Sequence, residues 1–163
     1  MATNTIPRDG NNVPFENVDS FAVVTSAPSA FAGGTANSRG DDGGTSDPFT
    51  LFNVTGEVLV RIFGVCTTDL AGAATLEVGV TGNTALLIPQ STATDIDAND
   101  IWFDATPAEV GGVALSSITG PFVIVNGLDI IETVGTADIT SGNIRYVCLW
   151  RPLSRDGDVV SAV

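Results

Sequence analysis

The sequence predicts an all-β protein: a single antiparallel β-sandwich, jelly-roll-like, or a barrel, with an extended N-terminal arm. Three observations carry this. Apolar residues alternate with period two along much of residues 49–153, as strands with one buried face require. Turn dipeptides such as Thr81-Gly82 and Asn126-Gly127 punctuate the alternating runs. Helix formers are scarce: the only Gln is Gln90, there is no Lys, and Val and Thr are abundant.

Residues 1–48 form the first segment, an arm and a Gly-rich loop. They are rich in Asn, Gly, Ser, Asp, Thr and Pro, with scattered hydrophobes at Ile6, Val13, Phe15, Val18, Phe21, Val23, Val24 and Phe31. Gly33–Gly44 is made of turn and loop residues, and such a segment builds no core alone. Residues 49–153 are the β domain, with strands near 50–55, 57–66, 74–81, 84–88, 100–104, 121–125, 128–134 and 143–151. Along 57–66, Val58, Val60, Ile62 and Cys66 share one face, while Leu59, Arg61, Phe63 and Val65 share the other. Thr81–Thr84 predicts a tight hairpin. Asn126-Gly127 predicts a second hairpin joining 121–125 to 128–134, because a type I′ turn needs positive φ at both central residues. One short helical turn is expected at Asp95–Asp100 or Pro107–Gly111. Residues 154–163 are expected to be a C-terminal tail.

Several strands are apolar on both faces, whereas a monomeric sandwich normally wets its outer faces. Leu59, Phe63, Val147, Leu149 and Trp150 are therefore candidates for an oligomer interface. The competing reading folds the arm back over one sheet of its own domain.

Composition removes most catalytic chemistry. Histidine and lysine are both absent, so no imidazole base, Ser–His or Cys–His pair, amine nucleophile or P-loop lysine exists. Only paired-carboxylate chemistry, as in glycosidases, stays open, and no motif pairs two acids in an apolar setting. The expectation is a protein that is not an enzyme and uses no cofactor. Acidic residues number 19 against six arginines, for a net charge of −13. Such a surface repels phosphate, which argues against nucleic acid and anionic membrane as partners. No apolar run is long enough for a transmembrane helix, and Met1–Thr5 does not resemble a secretory signal. Cys66 and Cys148 sit in apolar runs; a disulfide is one reading, and two buried, reduced thiols are the simpler expectation.

Other motifs have two readings each. Arg39-Gly40-Asp41 is the adhesion tripeptide in a Gly-rich loop, and also a tripeptide that chance supplies. Asp95, Asp97 and Asn99 alternate like the start of a Ca²⁺ loop. Asp100 replaces the required Gly and Thr106 the required Glu, so a solvated acidic loop is the simpler reading and no metal is expected. Trp102 and Trp150 suit either sugar stacking or a core.

Ile6-Pro7-Arg8-Asp9-Gly10-Asn11-Asn12-Val13-Pro14-Phe15 resembles the N-terminal arm of small tailed-bacteriophage virion proteins. Phe52–Val58, Val78–Thr84 and Ile144–Pro152 resemble the same group, so the likeness spans most of the chain. It implies a virion structural protein of the capsid decoration (cement) type, made in the host cytoplasm and carried on the head surface. Decoration proteins are small acidic β domains that oligomerise, often as trimers, and clamp neighbouring major capsid subunits. On that likeness Ile6, Pro7, Arg8, Asp9, Val13, Pro14 and Phe15 are the partner-binding arm, lying over a neighbouring subunit. The alternative is a tail- or baseplate-associated module that binds host glycan through Trp102 with Asp95 and Asp97.

Overall fold

The structure is a computed structural model that describes residues 21–27, 29–107 and 111–163. The strands are β1 (Ala22–Thr25), β2 (Ser29–Ala30), β3 (Phe49–Thr55), β4 (Val58–Ala71), β5 (Thr75–Val80), β6 (Asn83–Thr92), β7 (Ile101–Trp102), β8 (Phe122–Ile124), β9 (Ile130–Gly135), β10 (Ser141–Pro152) and β11 (Asp158–Ser161). Single 3-10 turns occupy Ala93–Asp95 and Leu115–Ser117.

The strands form two antiparallel sheets packed face to face. The first runs β1-β10-β4-β7, with β2 sharing the β1 edge of β10 and β8 sharing the β7 edge of β4; the second runs β11-β3-β9-β5-β6. The expected alternation is what fills the space between them. Val58, Val60, Ile62 and Cys66 of β4 and Ile144, Tyr146 and Cys148 of β10 face Phe52, Leu76, Val78 and Ile130 of the second sheet, all buried. Apolar burial at roughly 25 cal/mol per Å² makes this the main favourable term.

Both long sides of the sandwich are stitched. On one side the Ala27 amide donates to the Val163 carbonyl, 3.2 Å, bringing β1 beside β11. On the other, β6 passes through Ala93–Asp95 into a loop that bonds to β4: Cys66 N to Asp100 O, 3.0 Å, and Asn99 N to Cys66 O, 2.9 Å. This places the molecule between the sandwich and the barrel of the sequence reading.

Three expectations change. The β domain extends past 49–153 in both directions. Ala22–Thr25 pairs with β10, and the expected tail contributes β11, with Val159 buried against the core. The second hairpin does not form. Asn126 and Gly127 do have positive φ, 59° and 63°, but β8 pairs with β4 while β9 pairs with β3 and β5. The turn therefore carries the chain from one sheet to the other, because Ile124 and Ile130 must both point into the core from opposite sheets. Finally, two short helical turns form where one was expected: Ala93–Asp95, just before Asp95–Asp100, and Leu115–Ser117, after Pro107–Gly111. The Thr81-Gly82 hairpin forms as expected, closing with Val80 opposite Asn83.

Candidate functional site: the outer face of the first sheet

The outward positions of the first sheet make a grid fixed by register. Its rows are Val23–Leu149–Arg61, Thr25–Val147–Phe63, Arg145–Val65–Ile101 and Arg151–Leu59–Val123. Apolar side chains dominate, arginines sit at three positions, and no position carries an acid. Val23 is 62% and Val123 56% exposed, unusual for Val on a strand; Phe63 and Leu149 are half-buried, and Val147 is buried. One Arg61 Nη donates to the Leu115 carbonyl, 3.0 Å, holding the Leu115–Ser117 turn beside the face. Its Nε is buried without a partner among the described residues.

Four of the five interface candidates thus come together: Leu59, Phe63, Val147 and Leu149. Trp150 does not join them. It stands opposite Val60, on the inward parity, and packs against the core. The sequence reading missed Val23, which fell in the presumed arm, and Val123, which was assigned to a hairpin. Arg145 and Arg151 also belong here, and their odd-numbered spacing with Val147 and Leu149 was the available signal. The proposed arm residues Ile6, Pro7, Arg8, Asp9, Val13, Pro14 and Phe15 lie outside the described residues.

A second polar constellation lies in the core. Arg39 Nε is 2.8 Å from Glu132 Oε1 and its Nη2 2.6 Å from Oε2, a bidentate pair with both side chains buried. The Tyr146 hydroxyl donates to Glu132 Oε2 at 2.6 Å, and another Arg39 nitrogen donates to the Ser29 carbonyl. The guanidinium stacks 4.1 Å over the Phe31 ring. Burial works against the Arg39 charge, but the Glu132 carboxylate outweighs it and the net pKa shift is upward. Burial, reinforced by the Glu132 charge, pushes the Tyr146 hydroxyl well above its ordinary 10.0. The two charges are paired with each other, so this is an anchor for the loop that carries Arg39.

That anchor decides the adhesion tripeptide. Arg39 is 6% exposed and committed to Glu132, so the tripeptide is not displayed. The loop around it is knit by successive turns: Thr35 N to Ala32 O, Ser38 N to Thr35 O, Asp41 N to Ser38 O, Gly44 N to Asp41 O and Asp47 N to Gly44 O.

Trp102 is fully buried and its indole donates to Ser91 Oγ, 2.8 Å, so no sugar ring can stack on it. Asp95, Asp97 and Asn99 are exposed. The neighbouring carboxylates of Asp69 and Asp100 accept the Ala98 and Asp97 amides, so they cap the loop instead of converging on an ion. Among the described residues no cluster of His, Cys, Asp or Glu has a metal-binding arrangement. Cys66 and Cys148 are buried free thiols in different registers, opposite Ile144 and Ile62. Burial pushes them up to about 11 and about 12.

Comparison with known proteins adds no relative: no family model, no curated protein and no solved structure matches this chain.

Proposed function

We propose that this chain is a non-enzymatic structural protein of a tailed-phage particle: a decoration protein that binds the outer surface of the major capsid lattice as a homo-oligomer, of which a trimer is one form, and stabilises the head. The observation that carries the reading is the solvent-directed sheet face on which Leu59, Leu149, Val23 and Val123 gather around arginines. An apolar face left uncovered among the described residues suits assembly. Support also comes from the sequence, whose lack of His and Lys leaves little catalytic chemistry, and from the likeness of residues 6–15 to phage virion arms. On this reading the protein is made in the host cytoplasm and ends on the head surface, with the capsid lattice and itself as partners, and neither nucleic acid nor membrane.

Copy number is the test. On a stained gel of purified particles, a head decoration protein is present at on the order of hundreds of copies, as a lattice of repeated sites demands. A tail or baseplate component is present at a few to tens, and that result would move the protein off the head. Absence of the band from particles ends the reading altogether.

A further inference from the structure

The chain carries six basic residues and a net charge of −13, yet Arg61, Arg145 and Arg151 stand together on one sheet face with no acid among them. Of the other three, Arg39 is committed to the core, Arg155 lies in the turn between β10 and β11, and Arg8 belongs to residues 1–20. Whatever covers that face must be apolar and acidic. Residues 1–20 have that character on balance: Ile6, Val13, Phe15 and Val18 are interspersed with three acids, Asp9, Glu16 and Asp19, against one cation, Arg8.

The root of that segment is in the right place. β1 is antiparallel to β10 with Ala22 opposite Trp150, so the chain enters β1 from the Pro152 end, beside Leu149 and Arg151. Continuing the line of β1 backwards leads off the end of its own sheet. A 20-residue extended segment reaches about 66 Å, while the twelve residues of β10 span only about 40 Å. Pro7 and Pro14 bias Ile6 and Val13 towards extended backbone.

We propose that the outer face of the first sheet is the seat for residues 1–20 of a second copy of this chain, apolar anchors on the Val23–Leu149–Leu59–Val123 surface and carboxylates on Arg61, Arg145 and Arg151. The contact is heterologous, arm of one copy on sheet of the next, so it closes as a ring when the rotation allows. The inference rests on the homo-oligomer part of the function proposed above and is independent of any virion.

Sedimentation of the full-length chain tests it without particles. The wild type is expected to run as an oligomer that dissociates as salt rises, because exposed charge pairs are screened. Phe15→Asp on the arm and Arg151→Glu on the face should each weaken association at least about tenfold, with far-UV spectra unchanged. A tagged Val18→Cys chain mixed with an untagged Leu149→Cys chain should give a covalent mixed dimer on oxidation. A monomeric wild type overturns the proposal. So does an oligomer indifferent to both charge variants, which places the interface elsewhere. A Val18→Cys/Leu149→Cys chain that cross-links only within itself also overturns it, since the arm then covers its own sheet. A stable oligomer paired with absence from particles leaves the inference standing and removes only the virion reading.

Discussion

Arg39 and Glu132, 93 residues apart in sequence, meet as a bidentate pair in the interior, with the Tyr146 hydroxyl on the same carboxylate. Glu132 belongs to a central strand of the second sheet and Tyr146 to β10 of the first, so the pair ties the loop to both layers. A buried ion pair gives little net stability over an apolar replacement, but losing one partner strands a charge.

Arg39→Met alone and Glu132→Leu alone are each expected to cost about 3–5 kcal/mol in a denaturant titration. The double variant should recover much of that loss. If the two single losses simply add, the charges are not coupled and the geometry described here is wrong.

Two glycines of the loop give an internal control. Gly40 has φ 98°, and a Cβ there would stand 2.5 Å from the Ile139 carbonyl; Gly43 has φ 73° but open space around it. Gly43→Ala should cost about 1 kcal/mol, the strain of a left-handed residue. Gly40→Ala adds a backbone clash and should cost clearly more. Equal melting temperatures for the two variants would count against the docked loop.

Truncation after Gly157 removes β11 and the buried Val159. The expected loss is about 2 kcal/mol or more, with the β3 edge left exposed to aggregation. Deleting residues 2–16 should instead leave the denaturant midpoint of the monomeric body unchanged, because the described core begins at Phe31. A harmless truncation would restore the shorter C-terminal boundary at 153, and a lowered midpoint after the deletion would make residues 2–16 part of the folded body.

Alkali should unfold the protein before mild acid does anything comparable to its thiols or its buried tyrosine. Cys66 and Cys148 are raised by burial from 9.0 to about 11 and about 12, and Tyr146 is raised well above 10.0. Each holds its proton more tightly folded than unfolded. Their contribution is therefore complete below 9.0 and is lost as pH rises towards about 12. A midpoint that stays flat across that window, or fast labelling of both thiols in the native state below 9.0, contradicts the burial.

Period-two spacing made β3 through β10 legible, because one face of each strand had to be apolar. β1 and β2 lie in a stretch of Ser, Ala and Thr with no period-two run, and β11 offers only Val159 and Val160 between polar residues. Asn126-Gly127 announced its backbone angles correctly and its pairing wrongly, since local φ values do not say which sheet receives the next strand. The interface grid was half legible from parity. Its other half came from neighbouring strands, which only the fold assembles. The Arg39 anchor had one sequence signal, an acid at Glu132 in step with Ile130 and Val134, but its partner lay too far along the chain to be named.

Among the described residues β5 and β6 are the only consecutive strands that pair with each other. Every other ladder joins distant segments, above all β4 with β10, whose residues 58–71 wait for 141–152. Loop-closure entropy is spent before those contacts return anything, so refolding should take on the order of milliseconds to seconds. During synthesis the emerging chain carries the two-sided apolar β4 long before its central partner exists. The strong negative charge then has a second use, keeping growing chains apart on a polysome until each has found its own β10.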